Sequence, residues 1–509
     1  MPPSSVDRSP TVGPAAGTRT PAGTPPDAPA GTPPGAPRGA IPALRARYPG
    51  EHLLSLSRDP LGLFVRAARE RGDVVRIPAA GRTFVLVAHP ELAREVLVTQ
   101  QKRFVRGYAH RGLRFLLGDG LLTSEGDFHR RQRRLAQPAF HRERIARYAA
   151  TMVDAAERWS ARWEARGRER EPAGAPAGAG GADREPVVVD LHAEMMALTL
   201  AIVGETLFGT AVEGVAGEVS DAMHDALEAA PLAFLPFARF TLRLPVPLAV
   251  RFRGARARLH AVVEGIVAER RAAGRGAAGG LDDRGDLLSM LLVATDPEES
   301  DGQPMSDAQL RDEVLTLFLA GHETTAVALT WTWVLLGRHP EVAARLHAEV
   351  DALGGAPTMD DLPRLAYARA VVAESMRLYP PAYAVGRICV ERTVLGGHAI
   401  EPGWGVITSP WLAHHDPRWW PEPERFRPER WLEPAPADRP KFAYFPFGGG
   451  TRICIGEQFA WTEAILVLAV LARRWAPRLA EPERIAARGA ITLRPVGGVR
   501  AALVPRPAP

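Results

Sequence analysis

The run Phe447-Gly-Gly-Gly-Thr-Arg-Ile-Cys-Ile-Gly456 decides the fold of this 509-residue chain. Gly448, Gly449 and Gly450 admit positive φ angles, so the backbone can bend and pass close to another body. Beyond the run, Phe459, Leu466, Val467, Val470 and Leu471 form an apolar face, which predicts a helix from Ile455 to Trp475. Cys454 then stands at a helix N-terminus, where the macrodipole and free backbone N–H groups favour a thiolate.

A thiolate in such a bend suits proximal ligation of haem iron, where it pushes electron density toward O–O cleavage. The glycine bend would let the chain pass the flat cofactor, Phe447 would shield the sulfur, and Arg452 would reach a haem propionate. At every fixed position the run resembles the signature of the cytochrome P-450 superfamily. The resemblance covers about residues 41–505. It implies a mainly α (α+β) fold, a large helical domain with a smaller β-rich region. Haem b would lie between a central helix and the cysteine-loop helix, with Cys454 as axial ligand and Ala320 and Gly456 beside the cofactor.

Composition agrees with a large folded domain: 46% of residues are hydrophobic and 24% charged. Cys389 and Cys454 are the two cysteines, which excludes a disulfide framework and any four-cysteine iron–sulfur domain. A reducing cytoplasm is the natural setting. A net charge of +5 is too small to argue for nucleic acid. Residues 1–40, rich in Pro, Ala, Gly and Thr, read as a disordered tail without a membrane anchor or signal-peptide core. Residues 41–505 read as the catalytic domain. Within it, 166–186 reads as a flexible insertion, and 272–285 is a further low-complexity stretch. Short strands are expected at Val74–Ile77, Thr83–Val87, Thr393–Ile400 around a Gly396-Gly397 turn, Gly405–Ser409, Ala490–Leu493 and Val499–Leu503.

Ser306-Asp-Ala-Gln309 is a capping-box start, and Val314–Leu336 is apolar almost all round, so a buried central helix is expected. One polar island, Ala320-Gly-His-Glu-Thr-Thr325, interrupts it. Burying Glu323 and two threonines is costly unless they are partnered or used. Gly321 would let another body approach. Thr324 can bond back to a backbone carbonyl and open a bulge that admits water or dioxygen. Glu323–Thr324 resembles the family's acid–alcohol pair, which implies proton delivery during oxygen activation. His322 faces either solvent or a neighbouring helix.

Glu374-Ser-Met-Arg377 resembles the family's E-x-x-R pair, which a second arginine locks. Arg425 and Arg430 lie in two Pro-Glu-Arg copies; the spacing to Cys454 favours Arg430. His129 and Arg133, four apart on a helix, and Arg387 match family donors to the propionates. Arg130, Arg131, Arg134, Arg142 and Arg144 form a basic run that could steer an acidic electron-transfer partner. Asp282-Asp-Arg-Gly-Asp286 spells a terpene-synthase magnesium motif, but it sits in a Gly-rich turn without a second metal motif.

The resemblance thus implies a monomeric, cytoplasmic haem-thiolate monooxygenase that inserts one atom of dioxygen into a terpenoid or fatty-acyl molecule. Electrons would come from NAD(P)H through a separate ferredoxin or flavodoxin and its reductase, since the chain ends soon after the cysteine-loop helix. Substrate would touch the loop Tyr108–Leu122, Leu317, Phe318 and Ala320, the segment Ala382–Val385 and the turn Val496–Gly498. A haem-thiolate sensor without enzyme activity and a bifunctional terpene cyclase are the alternatives.

Overall fold

The computed structural model describes residues 39–169, 185–209, 238–273, 284–294 and 305–507, with Val219, Asp221, Ala222, Asp225 and Ala226 besides. The 1–38 tail, most of the 166–186 stretch and Asp282–Asp283 lie outside these residues. The helix Arg142–Arg168 runs into the expected insertion.

The central helix, Asp307–Arg338, is the axis of the molecule. Its Ser306–Gln309 capping box is closed in both directions. The apolar sequence is explained by neighbours on every side. The helix Leu191–Leu207 packs along it, and the helices Ala366–Leu378 and Glu457–Ala472 and the strand β9 (Trp475–Leu479) close the rest. One continuous core joins these elements.

The β structure is peripheral. β1 (Val74–Ala79) and β2 (Arg82–Val87) form a hairpin about Gly81 at φ 73°. They join a five-stranded sheet of order β1-β2-β8-β5-β3, with β3 Phe104–Arg106, β5 Val385–Cys389 and β8 Gly405–Thr408. β2 and β8 pair in parallel, and the other pairs are antiparallel. β6 (Thr393–Leu395) and β7 (His398–Ile400) form the expected hairpin about Gly396-Gly397. A three-stranded sheet has β12 (Arg500–Pro505) between β4 (Val187–Asp190) and β9.

Three expectations change. The strand placed at Ala490–Leu493 is instead a hairpin of β10 (Ala487–Gly489) and β11 (Leu493–Pro495), with residues 490–492 as its turn. Tyr108–Leu117 is a helix, because Leu113, Leu116 and Leu117 at helical spacing find the core. The cysteine-loop helix spans Glu457–Ala472, shorter than predicted, since Trp475 is taken into β9 opposite Pro505.

The stretch after the Tyr108 helix is clamped to the central helix. Asp312 Oδ2 accepts from Asp119 N at 2.8 Å, and Glu313 Oε2 accepts from Leu121 N at 2.9 Å. A Cβ at Gly120 would stand 2.1 Å from Thr316 Oγ1, so only glycine fits there. Glu313 is 1% exposed, and burial pushes its carboxyl up to about 8. Between the ordinary value of 4.5 and 8, the folded state holds a proton that the unfolded chain releases. Stability should therefore be fully present at the acid end of this window and fall as pH rises through it, by on the order of 1.4 kcal/mol per unit from this group. Glu313→Gln should flatten that fall, measured as thermal unfolding of both proteins from pH 5 to 8; parallel curves would disprove it.

Candidate haem-binding and oxygen-activation site

The cysteine loop is shaped by contacts with protein. Gly448 and Gly450 take φ 73° and 70°, as the bend requires. Gly449 is extended; its need for glycine is space, since a Cβ would lie 2.6 Å from the Phe442 ring. A Cβ at Gly450 would overlap the Leu97 carbonyl oxygen at 2.0 Å. Cys454 N donates to Phe447 O at 3.0 Å and closes the loop, and Thr451 donates from N and Oγ1 to Gln101 Oε1 at 2.8 and 2.9 Å. The Phe447 ring lies 5.9 Å from that of Trp461.

Cys454 precedes the helix, whose N-cap is Gly456. Cys454 is exposed, although neighbouring protein crowds its thiol. Burial pushes the thiol up to about 11, outweighing the Gly456 backbone N–H that favours the thiolate. The expected thiolate-stabilising dipole is therefore not the ruling effect. A thiol this weakly acidic ionises when a metal cation binds the sulfur. Cys389 is buried in β5, where its Sγ donates to Glu391 O at 3.0 Å, and it serves as a small core side chain.

Beside the cysteine loop, basic side chains from three elements converge. His129 and Arg133 come from the helix Gly126–Ala136, Arg387 from β5, and Arg452 from the loop. Arg133 Nη1 donates to Ile453 O at 2.8 Å. Arg452 donates to Ser124 O at 2.8 Å and to Glu125 Oε2 at 2.6 Å. Burial, then Arg452, Arg106 and Arg133, lowers His129 to about 3; burial, then Arg452, lowers Arg387 to about 10.

Sequence reading missed two members, Arg106 and His110. Both are pushed well below their ordinary values, first by burial and then by the neighbouring arginines. Among the described residues, Arg106 Nε and His110 Nδ1 have no hydrogen-bond partner. A lone arginine ending a three-residue strand carried no signal; only the β3–β5 register sets Arg106 opposite Arg387. Glu125 is the principal carboxylate offsetting this charge. Crowded arginines and a neutral imidazole with unfilled nitrogens, beside an accessible cysteine, fit a metal-bearing group that carries two carboxylates. Haem has that chemistry.

On the central helix Thr324 is half-buried and donates to Ala320 O at 2.7 Å. The backbone stays α-helical throughout, so the expected bulge is not formed. Gly321 makes room for Val203 of the neighbouring helix, whose Cγ2 would lie 3.2 Å from an added Cβ. His322 is fully buried, and its carbonyl accepts from Thr199 Oγ1 of the same helix at 3.0 Å. Glu323 is also buried, and its partners come from β11 and the turn before it.

Glu374 and Arg377 are fully buried and joined Nε to Oε2 at 2.9 Å and Nη2 to Oε1 at 2.9 Å. Arg430 Nε donates to Glu374 Oε1 at 2.9 Å, and Trp431 Nε1 to Oε2 at 2.8 Å. The Arg425 side chain instead makes an exposed pair with Glu422 at 3.2 Å. Asp286 of the acidic motif caps the helix Leu287–Val293 through Ser289 N and holds buried Arg270 at 2.5 Å, which explains its presence without a metal. Among the described residues no helix is long and apolar enough to cross a membrane.

An accessible cysteine in a glycine bend, basic groups beside it and a buried central helix with an acid–alcohol pair are the chemistry of a haem-dependent oxygenase class, and comparison with known proteins gives the family. The family model described as Cytochrome P450 matches residues 48–496. The chain is 40% identical to "Cyclooctatin synthase" of Streptomyces melanosporofaciens, over 90% of this chain and 93% of the relative. It is 36% identical to "Cyclooctat-9-en-7-ol 5-monooxygenase" of the same organism, over 83% and 86%. It is 34% identical to "Pentalenene oxygenase" of Streptomyces avermitilis, over 83% and 88%. The chain belongs to the cytochrome P450 family, and with it to the haem-iron oxidoreductases that incorporate oxygen.

Removing Arg430 leaves the buried Glu374–Arg377 pair one donor short, and breaking such a network costs about 3–5 kcal/mol. Arg430→Ala should therefore purify with little haem, whereas Arg425→Ala, losing an exposed pair worth about 0–1 kcal/mol, should load normally. The haem-to-protein ratio of both variants decides, and the reverse ranking would refute the assignment.

Proposed function

We propose that the chain hydroxylates, or otherwise oxidises, a lipophilic terpenoid, with haem b held by Cys454. The observation that carries the site is the set Arg106, His110, His129, Arg133, Arg387 and Arg452 beside the cysteine loop, with His129 and Arg387 buried and the rest half-buried, offset mainly by Glu125. The names of the relatives, which mention cyclooctat-9-en-7-ol and pentalenene, favour a terpenoid over a fatty acyl chain. The bacterial organisms of those relatives suit a cytoplasmic monomer, in which residues 41–505 form the catalytic domain behind the 1–40 tail.

When bound, the haem would supply activation of dioxygen and transfer of one oxygen atom to the substrate. The chain's own groups do the rest. Arg387, Arg452, His129 and Arg133 would hold the haem propionates by charge-assisted hydrogen bonds. Leu317 and Phe318, in the core of the central helix, present apolar surface that excludes water. The Thr324 hydroxyl, fixed on Ala320 O, would serve as the proton donor of the central helix, with Glu323 as the acid that reloads it.

Electrons would come from NAD(P)H through a separate ferredoxin or flavodoxin and its reductase. The helix carrying Arg130, Arg131 and Arg134 offers the docking face, where positive potential steers an acidic partner. Arg130 there is paired with Asp127, which moderates its charge.

Cys454→Ala should abolish the red-shifted Soret band of the reduced carbon monoxide complex, and Cys389→Ala should keep it. Loss of the band in Cys389→Ala alone would refute the ligand assignment. Thr324→Ala should bind haem normally but release peroxide in place of product. Product per electron pair should fall on the order of tenfold or more, since positioned proton donors contribute about 10²–10⁴-fold. Unchanged coupling would remove Thr324 from proton delivery.

A further inference from the structure

The acid of the Glu323–Thr324 pair is held from outside the central helix. Three hydrogen bonds converge on one oxygen. Glu323 Oε1 accepts from Thr492 Oγ1 at 2.6 Å, from Arg494 Nε at 2.9 Å and from Arg494 Nη2 at 2.5 Å. Oε2 takes no hydrogen bond among the described residues. The Glu323 side chain is 2% exposed and that of Arg494 is 20% exposed, so the guanidinium links the buried acid to the surface.

Both donors belong to the β10–β11 hairpin, Thr492 in its turn and Arg494 in β11. That hairpin is fixed at two further places. Trp331 Nε1 of the central helix donates to Leu493 O at 2.8 Å. Leu493 N donates to Pro381 O at 3.0 Å, and Tyr383 Oη donates to Ala490 O at 2.8 Å. The element that grips Glu323 is therefore bonded to the chain on either side of Ala382, where substrate contact is expected.

The remaining titratable groups near Glu323 do not compete for it. His192 and His322 are both lowered to about 4, chiefly by burial, so they are neutral at pH 7. His192 Nδ1 lies 3.2 Å from Thr330 Oγ1, and Asp190 acts on it from the end of β4. The His322 ring is buried, and its neutral form offers the acid no charge. Arg494 is thus the cation that faces the acid.

We propose that Arg494 and Thr492 are positioning residues for proton delivery: they clamp Glu323 Oε1 and leave Oε2 as the oxygen that exchanges protons. The inference rests on the reading of Glu323 as the acid of the pair. A carboxylate that acts repeatedly must return to one geometry and reionise within the protein. A guanidinium on one oxygen does both, because an adjacent cation favours the charged form and its fork restricts rotation. Each delivery takes a proton up at Oε2 and releases it toward the Thr324 hydroxyl, with no net change in the clamp. Movement of the 381–383 segment would pass through the hairpin to Glu323.

The test compares the haem-loaded full chain with Glu323→Gln, Arg494→Gln, Arg494→Lys and Thr492→Val. Each is driven by NADPH through a plant-type ferredoxin and its reductase, with cyclooctat-9-en-7-ol as probe. The peroxide released per oxygen consumed is read with and without the probe, so binding of that compound is not required. Infrared spectra of the resting proteins supply a second readout. A buried carboxylate that loses its cation takes up a proton, so Arg494→Gln should show a neutral carboxylic-acid band at pH 7. In difference spectra against the parent protein, which cancel the neutral Glu313 common to all of them, that band should appear for Arg494→Gln, vanish for the Arg494→Gln/Glu323→Gln double variant, and be weak for Arg494→Lys. The peroxide fraction should rise in Arg494→Gln nearly as far as in Glu323→Gln, and less in Thr492→Val. If Glu323→Gln raises peroxide but neither Arg494→Gln nor Thr492→Val does, or no Glu323-dependent band appears, the clamp is overturned while the acid role stands. If Glu323→Gln itself leaves peroxide unchanged, the acid role and the clamp both fall. Should Arg494→Gln not retain haem, Arg494→Lys and Thr492→Val decide by the same peroxide readout.

Discussion

A carboxylate with no exposed surface holds the haem-side half of this protein together. Glu374 accepts from Arg377, Arg430, Trp431 and the backbone N–H of Arg427. Arg377 in turn donates to the carbonyls of His414, Pro423 and Arg425. One helix thereby fixes a long stretch that has little regular structure of its own. Such a stretch cannot bury its backbone without outside donors, and the two guanidiniums supply them. Trp420 lies 5.2 Å from Arg377 and 6.0 Å from Arg430, which shields the network from water and completes the desolvation of its charges.

The position of the cysteine loop follows from that network. His414, whose carbonyl binds Arg377, accepts from Phe445 N at 3.0 Å, and Tyr444 Oη donates to Ala373 O at 3.1 Å. Three residues after Phe445 the glycine bend begins. Leu97 and Phe442 leave no room for a side chain at Gly450 and Gly449, so the bend closes on protein and leaves Cys454 exposed beside it.

The site itself is under electrostatic stress. Burial and mutual repulsion lower the proton affinity of His129, Arg387, Arg106 and His110 together, and burial raises that of Cys454. A thiol that resists ionising and cations that repel one another are both relieved by a group that brings a metal and two anions. The central helix shows the converse arrangement: its one buried carboxylate within the polar island is matched by Arg494.

The sequence by itself determined the elements whose signals are local. The glycine-cysteine run, the capping box at Ser306, the all-apolar central helix and the Glu374–Arg377 spacing are short patterns, and each lies where the structure has the corresponding element. The choice of Arg430 over Arg425 was legible too, through its spacing to Cys454. Tertiary structure alone decided which distant residues meet. Arg106 joins the cationic set only through the β3–β5 register, Gly321 serves Val203, and Arg494 reaches Glu323 only because β11 folds back on the central helix. It also reversed the expected balance at Cys454. A helix dipole can be read from a sequence, but desolvation depends on everything packed around the sulfur. Periodicity reports which face of an element is buried; it carries no information about what covers that face.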